Sequence, residues 1–180
     1  MSQNTWLAKD GKEENENVIQ REHIQKQQKG KNEMDAESAD NFLRLLENYV
    51  GVFTAKKLKN IKIVSYPASI LVLTEGHWIS IYITNKTLEV MDSMGYLGKD
   101  EIDENIQDFI TAHATAKSLN TTPRIQAADS ELCSLYAICF LYYRSFGCGT
   151  LCDFCKLFRP NLNFNSKIIC KLFRVIEKIN

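Results

Sequence analysis

QAADSELCSLYAICFLYYRSF, residues 126–146, is the stretch around which the rest of the chain has to be arranged. It opens polar, passes Asp129 and Ser130, and then runs apolar for a dozen residues. From Leu132 to Tyr143 only Ser134 interrupts an apolar surface that covers every helical face, and a helix hydrophobic all round is a buried central helix. Cys133 falls in its first turn, with Asp129 or Ser130 expected to accept hydrogen bonds from the free amides there. Unpaired N–H groups and the positive end of the helix dipole favour a thiolate at such a position. On this stretch alone a second reading stays open: Cys133 as a small buried hydrophobe, since free cysteine is among the most buried residue types.

Length and composition bound the answer. The chain has 180 residues, 44% of them hydrophobic, enough for one globular domain with its own core. Its formal net charge is zero, so no global basic field argues for nucleic acid. Six cysteines, at 133, 139, 148, 152, 155 and 170, all lie in the last third. A secreted disulfide framework spreads its cysteines through loops, so a reducing, intracellular compartment is expected. The N-terminus is polar, without an apolar signal core, and no stretch is long and charge-free enough to span a bilayer. Residues 1–34, rich in Gln, Lys and Glu, read as a mobile polar arm in which His23 is a solvated side chain. Residues 35–180 read as the folded domain.

Within that domain the pattern predicts a helix with Phe42, Leu45, Leu46 and Tyr49 on one apolar face, capped by Ser38 and ending near Gly51. Short strands are expected at Ile61–Val64 and Ser69–Leu73, around the Tyr66-Pro67 break. Glu101–Ala116 reads as an amphipathic helix with Ile102, Ile106, Phe109 and Ile110 inward and His113 at the surface. Thr121–Ile125 reads as a strand leading to Gln126.

The second informative stretch is GHWISIYITNKTLEVMDSMG, residues 76–95. Ile79, Ile81 and Ile83 alternate with Ser80, Tyr82 and Thr84, and Leu88 and Val90 alternate with Thr87 and Glu89, which is strand periodicity. Asn85-Lys86 is a candidate two-residue turn, since Asn tolerates positive φ. That turn pairs Ile83 with Leu88, Ile81 with Val90 and Ile79 with Asp92. His77 and Asp92 then become diagonal neighbours on one face, roughly 7–8 Å apart at the backbone. A carboxylate bonded to one ring nitrogen fixes the histidine tautomer and supports the imidazolium when the other nitrogen takes a proton. The alternative is a strand-end histidine beside an unrelated solvated aspartate.

The order His77, Asp92, Gln126, Cys133 supplies the parts of a thiol protease. Gly-His-Trp at 76–78, Asp-Ser-x-Gly at 92–95 and Gln-x6-Cys at 126–133, with NYVGVFTAKKL at 48–58, resemble the adenovirus-type cysteine protease (adenain) family over about residues 42–146. The resemblance implies a papain-like or adenain-like α+β fold, with a central mixed or antiparallel sheet flanked by helices and the nucleophile heading a buried helix. It implies Cys133 as nucleophile, His77 as base, Asp92 orienting the histidine and Gln126 donating to an oxyanion beside the Cys133 N–H. Adenain has Glu at the position of Asp92, and SUMO-specific proteases of the same fold have Asp. Trp78 would wall the site and touch substrate, or else belong to the core. The sequence departs from the family at Ser134, where Gly is usual, and at Asp129, where Asn is common.

The resemblance also implies substrates that are protein chains with small residues, often Gly, near the scissile bond. The setting would be viral precursor processing during virion maturation, in the virion or host nucleus. A host-directed deubiquitinating or SUMO-removing protease is the runner-up. No cofactor is required by the sequence. Adenain is switched on by a peptide joined through a disulfide from the segment before the Gln, and stimulated by DNA; here residues 100–125 contain no Cys for that attachment, and the chain is neutral overall.

Cys148-x3-Cys152-x2-Cys155 raises a further class, a zinc-stabilised binding module with a structural Cys133; no His lies nearby, so a fourth ligand would have to be Cys139 or Cys170. Cys152, Cys155 and Leu157 fit an apolar helix equally well. The last helix, SKIICKLFRVIEKI, carries Ile168, Ile169, Leu172 and Ile176 as its apolar positions. From Lys156 onward, Lys156, Arg159, Lys167, Lys171, Arg174 and Lys178 form a local basic surface. It would suit nucleic acid or, more simply, a solvated helix face.

Overall fold

The computed structural model of the chain describes residues 34–96, 103–115 and 117–179. Most of the arm expected over residues 1–34 therefore lies outside the described residues; Met34, at its end, packs against the core. Five strands, β1 (Tyr49–Thr54), β2 (Ala68–Leu73), β3 (Trp78–Ile83), β4 (Thr87–Met91) and β5 (Ser118–Thr121), form one mixed sheet in sequence order. The outer pairs β1–β2 and β4–β5 are parallel, and the two central pairings are antiparallel.

Helices cover both faces. On one side α1 (Ala36–Leu43), α4 (Cys133–Ser145), α5 (Leu151–Cys155) and α6 (Leu162–Ile176) close over Leu71, Leu73, Trp78, Tyr82 and Met91. On the other, α2 (Ala55–Leu58) and α3 (Glu104–Ala114) cover Ile70, Val72, Ile79, Ile81, Ile83, Leu88 and Val90. Strands covered on both faces lose the polar-out alternation, and accordingly every residue of β2 and β3 is buried. The α4 helix supplies the centre: Tyr136, Ala137, Ile138, Cys139, Phe140, Leu141 and Tyr142 are all buried. Truncating a side chain such as Phe140, which is 0% exposed, costs about 3–5 kcal/mol in cores of this kind.

The β3–β4 hairpin has the expected register, Ile83 opposite Leu88 and Ile81 opposite Val90, with the Thr84 N–H bonded to the Thr87 carbonyl across Asn85-Lys86. The Asn165, Ile169 and Phe173 positions form the most buried stripe of α6, with Leu172 and Ile176 partly buried beside it.

Several expectations need correction. The helix predicted through Tyr49 stops at Leu43, and its cap is Asp35, whose carboxylate accepts from the Ser38 N–H at 2.8 Å. Tyr49 begins β1, because β2 offers YVGVFT a parallel partner that outweighs the helical spacing. Leu45 is consequently 64% exposed. Residues 61–64 form no strand, and Val64 faces solvent. The strand expected at Thr121–Ile125 lies earlier, at Ser118–Thr121, so that Pro123, which cannot donate to a ladder, falls beyond it. His113 is half-buried, stacked on Phe109 at 4.1 Å.

Candidate active site

The β2–β3 turn presents His77. Gly76, at φ +78°, takes the left-handed conformation that lets the chain reverse within two residues. The His77 carbonyl accepts from both the N–H (2.9 Å) and hydroxyl (3.0 Å) of Thr74. At the open end of the β3–β4 hairpin, His77 Nε2 meets Asp92 Oδ1 at 2.8 Å, with 14% of the histidine side chain exposed and none of the aspartate's. The diagonal placement expected from strand alternation is thus realised as a direct contact. A carboxylate at neutral pH only accepts, so Nε2 carries the proton of the neutral ring and Nδ1 is the basic nitrogen. The Tyr96 ring stands edge-on to the imidazole, centroids 5.7 Å apart.

Asp92 is itself held on several sides. Its Oδ1 accepts from the Met94 N–H at 3.0 Å and its Oδ2 from the Tyr96 N–H at 2.6 Å. The Thr122 hydroxyl accepts from the Asp92 N–H at 2.9 Å and donates to the Asp92 carbonyl at 2.5 Å, which fastens the end of β4 to the chain leaving β5. The Asp-Ser-x-Gly spacing has a steric reason. Gly95 sits at φ +68°, and a Cβ there would stand 2.7 Å from the Arg124 backbone nitrogen. Only glycine allows residues 92–96 to lie against residues 122–126.

Gln126 is 1% exposed and bonded at both ends of its amide. Oε1 accepts from the Ser93 hydroxyl at 2.5 Å, and Nε2 donates to the Ser130 carbonyl at 2.5 Å. The Ser93 carbonyl also accepts from the Ile125 and Gln126 N–H groups, both at 2.9 Å. Asn165 of α6, fully buried, donates to the Ile125 carbonyl at 2.9 Å and closes the loop around Arg159. Ser93, Thr122, Tyr96 and Asn165 escaped the sequence reading. Ser93 alone had a signal, its place inside the Asp-Ser-x-Gly motif.

Cys133 is the first residue of α4 and is 4% exposed. It shares a core with Trp78 and Met91, the residues adjoining His77 and Asp92. The expected caps are corrected here. The residue flanking the helix is Leu132, and no side chain caps it; Asp129 is exposed, and the Ser130 hydroxyl is buried without a partner. Ser134, where the family usually has Gly, lies within the helix and is fully buried. Trp78 is 1% exposed and packs in the core cluster that also holds Cys133. A polar cleft lined by Ala127, Asp129, Ser130, Glu131 and Leu132, with Asn163 and Ser166 of α6, runs along the loop that precedes Cys133.

The other cysteines separate from this site. Burial pushes the Cys139 thiol far up, and burial with the neighbouring Cys152 raises Cys155 to about 11. Cys148 and Cys152 are exposed. Among the described residues no group of three or more His, Cys, Asp or Glu is placed to hold a metal ion. Lys156, Arg159, Lys167, Lys171, Arg174 and Lys178 are exposed, and Lys156 pairs with Asp153 at 2.8 Å. Among the described residues no helix is long and apolar enough to cross a membrane.

Neither a protein-family model nor a curated protein matches the chain. Solved structures resemble it distantly. A protease of ASFV aligns with TM-score 0.46 and 12% identity over 67% of this chain, spanning 58% of its own length. The central domain of an uncharacterized Legionella pneumophila protein aligns with TM-score 0.44 and 14% identity, covering 77% of this chain and 95% of the domain. A de-sumoylating protease aligns with TM-score 0.38 and 15% identity, covering 88% of this chain and 75% of its own.

Proposed function

We propose that the chain is a thiol protease in which Cys133 is the nucleophile, His77 its base, Asp92 the group that orients the base and Gln126 an oxyanion donor. The observation that carries this reading is the 2.8 Å bond between His77 Nε2 and Asp92 Oδ1, on the hairpin beside the helix that Cys133 heads. In the proposed cycle the Cys133 thiol gives its proton to His77 Nδ1, and the thiolate attacks the peptide carbonyl carbon. The resulting oxyanion is received by the Cys133 N–H and by the Gln126 amide. Removing one donor of this kind typically costs about 2.7–4 kcal/mol of transition-state stabilisation. His77 Nδ1–H protonates the leaving amine, leaving a thioester on Cys133. The same nitrogen then takes a proton from water, whose oxygen attacks the thioester and releases the acid and the restored thiol.

The test is labelling with iodoacetamide at neutral pH followed by peptide mapping, with Cys133→Ala and His77→Ala as controls. Fast modification at Cys133, lost with His77, is the expected result. Slow modification spread over several cysteines and indifferent to His77 would end the protease reading.

The resemblance to adenain extends the proposal to protein chains with Gly near the scissile bond, such as viral precursors. Asp92, where adenain has Glu, favours a second reading, removal of SUMO or ubiquitin from conjugates. Cleavage of SUMO- or ubiquitin-aminomethylcoumarin but not of free Gly-Gly peptides would select the second reading over the first.

A further inference from the structure

We propose that Ser93 is a positioning residue for the oxyanion donor, locking the Gln126 side chain so that one amide hydrogen remains aimed at the site. This rests on the protease reading of Cys133 and Gln126. The orientation of the Gln126 amide is forced by its neighbours. The Ser130 carbonyl can only accept, so the nitrogen must be the end that faces it, at 2.5 Å. The other end is then the carbonyl oxygen, and the Ser93 hydroxyl, 2.5 Å away, must be the donor. An amide nitrogen carries two hydrogens. One is taken by Ser130, and with both ends of the amide fixed the second has a single direction.

Ser93 fixes the main chain as well as the side chain. Its carbonyl receives the N–H groups of Ile125 and Gln126, both at 2.9 Å, so one residue sets where the Gln126 backbone lies and how its amide is turned. It is 1% exposed, out of reach of competing water. It also follows Asp92 directly, so the turn that orients His77 and the turn that orients Gln126 are one piece of chain. Preorganisation of this sort matters because an oxyanion donor contributes only if it need not reorient as charge develops.

The experiment compares wild type with Ser93→Ala, Gln126→Ala and the double variant, on p-nitrophenyl acetate and a Gly-Gly-aminomethylcoumarin peptide. Iodoacetamide labelling of Cys133, which forms no oxyanion, is measured alongside. Loss of one buried hydrogen bond is expected to lower kcat about tenfold with little change in KM. Gln126→Ala should lower it about 10²–10³-fold. In the Gln126→Ala background the Ser93→Ala change should add less than about twofold, since Ser93 acts through that amide. Cys133 labelling should stay within about twofold of wild type throughout. Ser93→Cys, near-isosteric with a weaker donor, should fall between Ser and Ala, and it reads the same bond where the Ala variant does not fold.

Wild-type kcat in Ser93→Ala or Ser93→Cys would overturn the proposal. So would an undiminished loss in the Gln126→Ala background, or a parallel loss of Cys133 labelling. A wild-type protein that labels fast at Cys133 yet turns over neither probe overturns the oxyanion assignment while leaving the nucleophile in place. One that fails at both overturns the protease reading itself.

Discussion

Asp92→Asn isolates the charge of the orienting group from its shape. Among the donors to the Asp92 carboxylate are His77 Nε2 (2.8 Å) and the Met94 N–H (3.0 Å) at Oδ1, and the Tyr96 N–H (2.6 Å) at Oδ2. An asparagine has one oxygen for the two sites, so its NH2 group faces either the Tyr96 N–H or the Met94 N–H. One buried donor is left unsatisfied, which costs about 1–3 kcal/mol of stability. The His77 contact keeps its sense only when the amide oxygen faces Nε2, and in either orientation the negative charge beside the imidazolium is gone. For charges about 4 Å apart at an effective dielectric of about 20, that attraction is about 4 kcal/mol. At about 1.36 kcal/mol per decade, the imidazolium-dependent rate should fall about 10³-fold. Iodoacetamide labelling of Cys133 gives this reading without a substrate, and kcat/KM on a Gly-Gly-aminomethylcoumarin peptide gives it through the full cycle. A folded Asp92→Asn protein that labels and cleaves within about tenfold of wild type would refute the assigned role of Asp92. The contact would then be structural.

Three further outcomes follow from the same structure. Glu89, 2% exposed, accepts from Arg144 Nε at 2.5 Å and from the Leu151 N–H at 3.1 Å. Glu89→Ala should therefore cost about 3–5 kcal/mol in urea unfolding, whereas Glu89→Met with Arg144→Met should cost less, because no charge is stranded. Gly95→Ala would place a methyl 2.7 Å from the Arg124 nitrogen in a left-handed residue, so a loss of at least about 1–2 kcal/mol is expected, with turnover falling as residues 92–96 shift. Unchanged stability would show that the turn relaxes freely. Burial raises the thiols of Cys139 and Cys155 and the phenols of Tyr49 and Tyr136, so each holds its proton more tightly folded than unfolded. That stabilisation is complete below the ordinary thiol value of about 8.5 and phenol value of about 10. It is lost as pH rises toward the folded values, about 11 for Cys155, so Tm by circular dichroism should decline from about pH 8.5 upward. A flat Tm between pH 8 and 10.5 would contradict it.

The hairpin and the central helix are legible in the sequence because both are encoded by local periodicity. Alternation of Ile79, Ile81 and Ile83 against Leu88 and Val90 leaves one register that buries the isoleucines, and that register carries His77 to Asp92. An apolar surface on every face of residues 132–143 leaves α4 no place but the interior, with Cys133 at its head.

What tertiary structure decided lies where local signals conflict or where partners are far apart in the chain. Tyr49 continues the helical spacing of Phe42, Leu45 and Leu46 yet opens the β-branched, aromatic run YVGVFT, and only the arrival of β2 alongside makes that run a strand. The Gln126 environment is assembled from Ser93, 33 residues earlier, and the Ile125 clamp from Asn165, 40 residues later. Glu89 looks like an outward-facing strand residue until Arg144 and the Leu151 N–H meet it in the interior. A buried polar group is tolerated only once its partners are in place. Such partners leave no periodic trace in sequence, so the main-chain course could be read early and the hydrogen-bonded support of the site could not.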